Sequence, residues 1–138
     1  MKRVRGTPES SARMARIRQK GTKIETDVAI ILRELGHRYR KNVKQLPGSP
    51  DFANRARRWA IFVNGCFWHH HENCKKATIP KSNREFWVAK FRDNRRRDAR
   101  SVASLRKAGF RVIVLWECQR SRIRVRLRKV LEASRVDP

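Results

Sequence analysis

The sequence predicts a single domain of the α/β class, in its α+β form, with helices that cover a small mixed sheet. Two apolar runs, 59–63 and 110–116, have the composition of buried strands, and the segments around them repeat apolar residues at helical spacing. The chain of 138 residues is long enough to bury one core without cross-links, and it contains no internal repeat and no low-complexity linker. We therefore expect one folded domain over 21–138, preceded by an arm over 1–20.

The charge of the chain predicts a polyanionic partner. Lysine and arginine number 36 against 12 aspartates and glutamates, a formal net charge of +24, which favours nucleic acid. An anionic membrane is the competing partner, but no stretch approaches the roughly 18 apolar residues of a spanning helix, and the N-terminus lacks the apolar core of a signal peptide. Three cysteines without an export signal favour metal binding over disulfides. We expect a soluble, intracellular protein that does not bind membranes.

The arm over 1–20 is basic and polar, with Glu9 as its single acid. One interpretation is a frayed segment that is disordered when free. The other is an arm that orders on a phosphate backbone, with Met14 entering a groove as an apolar wedge. Lone apolar residues more often simply pack, so the residues alone favour the first interpretation.

An amphipathic helix is predicted over 23–35. Thr22 and Glu25 have the spacing of a capping box, and Gly36 supplies the stop. The apolar residues of this segment recur at helical spacing: Ile24, Val28, Ile31, Leu32 and Leu35. Glu25 therefore has a structural role already, and a catalytic role for it needs a separate argument.

A hairpin is predicted after this helix. The basic stretch 37–43 can extend along a sheet edge, and a Pro-Gly turn, a short strand from 50–53 and a polar turn then lead into the apolar run 59–63. Asp51 thus lies on one arm of the hairpin, and the chain beyond residue 63 continues from the other arm. The two can be neighbours across a sheet.

Two more helices are predicted in the second half. Residues 82–85 form another capping signal and open a helix that runs to about residue 108, with an apolar face of Trp87, Phe91, Val102 and Leu105. Asp98 falls on that face, where a carboxylate needs an arginine partner or a site that it serves, and the spacing alone favours the arginine. The nearly continuous apolar strand 110–116 is expected to be covered on both faces. The last helix is expected over 121–133.

The stretch 65–74 contains two cysteines, three histidines and two adjacent aromatics. A closed tetrahedral zinc site could be formed by Cys66, His71, Cys74 and Cys118. The alternative is three buried thiols that act as small hydrophobes, and counting does not decide which histidine binds. The adjacent aromatics are expected to be exposed and available for stacking.

Asp51 is a candidate ligand for a hard cation. A carboxylate beside a zinc-held histidine cluster in a basic protein fits phosphodiester hydrolysis, for which Mg²⁺ prefers carboxylate oxygen and keeps several waters. A histidine not bound to zinc could accept the proton of the attacking water. The alternative is an aspartate that only caps the turn after Gly48.

Several segments are informative together: Pro50-Asp51-Phe52, Phe62-Val63-Asn64-Gly65-Cys66-Phe67-Trp68-His69, Glu85-Phe86-Trp87 and Val114-Leu115-Trp116-Glu117-Cys118, with Ser11-Ala12-Arg13-Met14 and Thr22-Lys23-Ile24-Glu25 near the start. In this order they resemble the very-short-patch-repair endonucleases, the strand-specific T:G mismatch nickases of bacteria. The resemblance covers roughly residues 8–118, and the run 65–71 is highly specific.

The resemblance implies a fold like that of type II restriction endonucleases, here without their usual second acid and catalytic lysine, since positions 61–63 are apolar. The implied catalytic residues are Asp51 and the Val63 backbone carbonyl for two Mg²⁺ ions, His69 as general base, and Glu25 and Asp98 acting through metal-bound waters. The implied ligands of one structural zinc are Cys66, His71, Cys74 and Cys118.

On double-stranded DNA, the resemblance implies that Phe67, Trp68 and Trp87 wedge beside the mismatch from the major groove and that Met14 enters from the minor groove. A T:G wobble pair stacks poorly, so opening that step costs less than in matched DNA. The implied product is a nick 5′ to the mispaired thymine. The implied setting is a monomer in the prokaryotic cytoplasm, associated with the nucleoid, with mismatch-repair proteins as candidate partners.

Two positions depart from the family pattern: Asn64 stands where many members carry a histidine, and the spacing from His71 to Cys74 is one residue longer than in the common form. Two rival functions follow from the same residues. One is a nuclease of the same fold that cuts matched DNA. The other is a zinc-stabilised DNA-binding module without chemistry, which the net charge supports equally well because basic residues report phosphate binding only.

Overall fold

The computed structural model describes residues 23–135, with side chains up to residue 132. The predicted arm, Met14 within it and the cap residue Thr22 lie outside this range. The elements in chain order are α1 (Lys23–Glu34), β1 (Arg40–Lys41), β2 (Phe52–Asn54), β3 (Trp59–Asn64), α2 (Arg84–Lys107), β4 (Arg111–Trp116), a 3₁₀ segment (Glu117–Arg122) and α3 (Ile123–Arg135). The predicted α+β class is confirmed. Within the described range, no helix combines the length and the apolar character that a bilayer crossing requires.

The four strands form one mixed sheet in the order β1-β2-β3-β4. The first two pairs are antiparallel, and β3 pairs with β4 in parallel, ending at the partners Asn64 and Trp116. Parallel strands need a long crossover, which α2 supplies. Because both strands finish at the same edge, the loop after β3 and the 3₁₀ segment after β4 leave the sheet side by side.

Each face of the sheet carries its own apolar cluster. On one face, α1 and α3 bring Val28, Leu32 and Leu127 against Ile61 and Ile113, all of them at most 2% exposed. On the other face, α2 contributes the buried Leu105 to a smaller cluster. The residues of β4 alternate between buried and half-buried positions, so the predicted full coverage of this strand holds on one face only.

Two helix starts differ from the predictions. Asn83 precedes α2 with φ 58° and ψ 42°, and its side chain caps none of the described N–H groups, so the expected capping signal is wrong at this helix. The last helix begins at Ile123 and not at 121, because a 3₁₀ segment interrupted by a non-helical Gln119 comes first. The end of α1 is as predicted, with Gly36 at φ 79°.

Candidate active site and metal cluster

Asp51 immediately precedes β2 and is 5% exposed. Its Oδ2 accepts a hydrogen bond of 2.6 Å from the Val63 backbone N–H. The β2–β3 ladder ends at Phe52 and Ile61, so the carboxylate takes the place of a backbone acceptor there. The predicted proximity of Asp51 to the far arm of the hairpin is confirmed. The N–H and C=O of one strand residue point to the same side of the strand. The Val63 carbonyl therefore points toward β2, as does the N–H that bonds Asp51.

His69 lies in the turn that follows β3 and contacts α2. Its Nδ1 is 2.6 Å from Asp98 Oδ2, with both side chains about one-third exposed. A proton on Nδ1 satisfies this bond and leaves Nε2 as the acceptor, so the carboxylate selects the tautomer that a general base needs. Among the described residues, the ion-pair partner of Asp98 is His69, so the expectation of an arginine there is wrong. Spacing gave the face of α2 on which Asp98 lies, but not the loop that packs against that face.

One cavity of about 300 Å³ joins these groups: Asp51, Val63, His69 and Asp98 all line it. Sequence reasoning missed several polar side chains of α2 in the same wall, namely Lys90, Asn94, Arg97 and Ser101. Their spacing of three or four residues around Asp98 was the signal that could have found them. Glu25 is buried in α1, 7% exposed, and does not line this cavity.

The zinc prediction fits the local geometry. The ligand atoms of Cys66, His71, Cys74 and Cys118 all lie within 4.8 Å of one another. His71 Nδ1 is 3.7 Å from Cys66 Sγ and 3.4 Å from Cys118 Sγ, where a tetrahedral zinc site requires about 3.6 Å between nitrogen and sulfur. The structure thus groups His71, and neither of its neighbouring histidines, with the thiols. This Cys₃His group could hold a metal ion.

The electrostatics of the cluster favour a cation. Burial is the main cause that raises the pKa of the Cys66 thiol to about 12, and the neighbouring thiols add to it. Backbone hydrogen bonding, from Lys76 above all, lowers the pKa of Cys74. Crowded thiolates repel one another, whereas a bound divalent cation stabilises all of them.

The aromatic residues differ in exposure from the expectation. Phe67 is 4% exposed and packs against Trp68, Trp87 and Phe91, with ring centroids 5.1, 6.3 and 5.3 Å away. The expectation of an exposed Phe67 is therefore wrong, because its ring fills the space between the loop and α2. Trp68 and Trp87 are half-buried. His70, to which the sequence assigned no role, stacks on Phe91 at 4.6 Å and helps to hold the loop on the helix.

The chain is similar to several proteins whose names describe DNA cleavage. The family profile described as "DNA mismatch endonuclease Vsr" matches residues 5–76. The type II nicking enzyme V.XorIIP of Xanthomonas oryzae pv. oryzae is 41% identical over 124 residues, covering 88% of this chain and 90% of that protein. The type II nicking enzyme V.NmeAIP of Neisseria meningitidis is 43% identical over 113 residues, with 82% and 80% covered. The DNA mismatch endonuclease Vsr of Escherichia coli is 40% identical over 108 residues, with 78% and 69% covered.

Proposed function

The chain belongs to the Vsr family of DNA mismatch endonucleases, and we propose that it nicks one strand of double-stranded DNA 5′ to the mispaired thymine of a T:G mismatch. The observation that carries this proposal is the presence of Asp51 and His69, distant in sequence, in the wall of one small cavity. The nicking enzymes among its relatives support cleavage of a DNA strand. The T:G preference rests on the name of the family and on the resemblance of the motifs.

The side chains around the cavity suit phosphodiester hydrolysis. The Nε2 atom of His69 accepts a proton from the attacking water, and Asp98 stabilises the imidazolium that forms. This direct contact supports an orienting role for Asp98 in preference to a role through metal-bound waters. Lys90 and Arg97 line the same cavity and can bind the negative phosphate oxygens.

Asp51 and the Val63 carbonyl fit the proposed Mg²⁺ site, because both offer the hard oxygen ligands that this ion prefers. A carboxylate has about four lone-pair positions, so the hydrogen bond from Val63 N–H leaves acceptor capacity for a cation. When bound, Mg²⁺ supplies charge neutralisation at the phosphate and lowers the pKa of a water ligand. Glu25 does not line the cavity, so its proposed role runs through metal-bound water.

Mismatch recognition is proposed to use Trp68 and Trp87 first, because both residues are half-buried, whereas Phe67 is buried. Phe67 would have to leave its packed position to enter the duplex. The loop after β3 must therefore shift, and the poor stacking of a T:G pair lowers the cost of opening the step that receives the rings. Met14 retains its proposed part on the minor-groove side.

The remaining proposals concern the setting of the enzyme. The Cys₃His group holds one structural zinc that clips the aromatic loop to the end of β4. A single cavity contains all the proposed catalytic groups except Glu25, which supports action as a monomer. A chromosomal DNA substrate places the enzyme in the bacterial cytoplasm, where mismatch-repair proteins are candidate partners.

A nicking assay tests the proposal. End-labelled duplexes that differ only in a T:G or a T:A pair are incubated with the full chain and either Mg²⁺ or EDTA. We expect one nick, in the thymine strand of the T:G duplex, with Mg²⁺ only. Binding without any cleavage would contradict the proposal and leave a non-catalytic DNA-binding module.

A nuclease that cuts matched DNA is the second candidate. The observation that favours it is the burial of Phe67, since a buried ring cannot probe a base step without rearrangement. Equal cleavage of the T:G and T:A duplexes would decide for this candidate.

A further inference from the structure

Trp116, the last residue of β4, lies between the metal cluster and the proposed general base. Its indole ring stacks face to face on the His71 imidazole, with centroids 4.0 Å apart and planes 9° apart. The His69 ring meets the same indole nearly at right angles, at 6.4 Å and 79°. The Trp116 side chain thus contacts both His71 of the Cys₃His group and His69. The His69 ring lines the cavity of about 300 Å³ that also contains Asp51, here called the catalytic cavity.

We propose that Trp116 is a positioning residue that couples zinc binding to the orientation of the His69 ring. The inference rests on the proposed function, in which His69 is the general base. His71 would hold the zinc through Nδ1, the nitrogen that faces Cys66 and Cys118, and its ring, fixed in this way, would fix the stacked indole. The indole then presents a defined surface to His69.

The His69 ring needs this second contact. Its hydrogen bond to Asp98 holds one atom, Nδ1, and a bond at one atom does not define the plane of a ring. The indole restricts the remaining rotation, and together the two contacts direct Nε2 into the catalytic cavity. A proton acceptor that is misplaced by about 1 Å can lose on the order of 100-fold in rate.

A second cavity beside His69 explains why the size of the side chain at position 116 should matter. A second cavity, of about 680 Å³, is lined by His69, Asp98 and Trp116 together with Val102 and Ala99. This cavity is large enough to receive an imidazole. With a smaller side chain at position 116, the His69 ring could swing into it and away from the phosphate. A closed zinc site does no chemistry of its own, so positioning is the route by which it can influence the rate.

Trp116→Leu and Trp116→Phe test the proposal, with Val112→Ala as a control. Val112 is half-buried on the same side of β4, four residues earlier, and lies among the residues of the α2-side cluster. We expect Trp116→Leu to keep about one zinc per chain and an unchanged KM for the T:G duplex, while kcat falls about 10- to 100-fold. Trp116→Phe keeps a flat ring and should therefore retain most of the wild-type kcat. Val112→Ala should nick at the wild-type rate.

Fluorescence supplies a measurement that is independent of activity. Removing zinc from the wild type with a chelator should change its tryptophan emission. The change should be much smaller in Trp116→Phe, although three of the four tryptophans of the chain remain there.

A wild-type kcat in Trp116→Leu at full zinc content would overturn the proposal. So would a parallel loss of zinc and activity, because the indole would then only hold the metal site. If Trp116→Leu does not fold, the phenylalanine variant decides through the fluorescence difference.

Failure of the proposed function gives a different pattern. A wild-type chain that nicks no duplex overturns the role of His69 as general base. The emission change then still decides whether Trp116 responds to zinc: an equal change in wild type and Trp116→Phe overturns the coupling, and a smaller change in the variant supports it.

Discussion

Replacing Asp98 by asparagine should lower kcat for T:G nicking by roughly 5- to 30-fold and leave KM unchanged. With its oxygen turned toward His69 Nδ1, the asparagine still accepts the hydrogen bond, but the negative charge that stabilises the imidazolium is lost. Hydrogen bonds to charged groups contribute about 1 to 2 kcal/mol more than neutral ones. The two side chains are 32% and 37% exposed, so solvent screening favours the lower half of that range. About 1.36 kcal/mol corresponds to tenfold in rate.

Single-turnover nicking of an end-labelled T:G duplex with enzyme in excess measures this effect without interference from product release. Asp93→Asn is the matched control, because Asp93 lies on the same helix with a 66% exposed side chain, and within residues 23–132 its one ion pair is with Arg92 at 3.9 Å. A wild-type kcat in Asp98→Asn would refute the reasoning. An equal loss in Asp93→Asn would refute it too, since the effect would then be one of net charge.

Three further outcomes are expected. Metal analysis of the wild type should find about one zinc per chain, and Cys118→Ala should lower both the zinc content and the melting temperature. Burial, followed by the charge of Arg95, lowers the pKa of His70 below its usual 6.5, so its contribution to stability is full above pH 6.5 and is lost as the pH falls through the lowered value. Urea midpoints should decline less in acid for His70→Phe than for the wild type, and an identical decline would contradict this. Leu127→Ala, in the fully buried core, should cost about 2 to 5 kcal/mol, while Asp27→Ala, which breaks a partly exposed ion pair with Arg120, should cost less than about 1 kcal/mol, both by urea unfolding.

Most of the secondary structure could be predicted from local patterns. Apolar periodicity placed α1 and β3 to within one residue, because each buries one continuous face or run in the core. The position of Asp51 beside the far arm of its hairpin also followed, since a turn of known length fixes which residues face each other. The members of the Cys₃His group followed from residue type, and the structure added the choice among three adjacent histidines.

The interactions that sequence patterns did not predict are those made between separate elements. Helical spacing placed Asp98 on the inner face of α2, but its partner, His69, comes from a loop 29 residues earlier. Phe67 was expected to be an exposed stacking residue beside Trp68. It is buried because Phe91 of α2 packs against its ring. The contacts of Trp116 also depend on the parallel register of β3 and β4, which brings the two strand ends together.

The most direct test of the account is the nicking and binding of a T:G duplex by Asp51→Asn. The asparagine can still accept the hydrogen bond from Val63 N–H, so the fold should be retained while the charge proposed to bind the cation is removed. The account predicts wild-type affinity for the duplex and no detectable nick, with Asp93→Asn fully active beside it. Nicking by Asp51→Asn at the wild-type rate would contradict the assignment of this cavity as the catalytic centre.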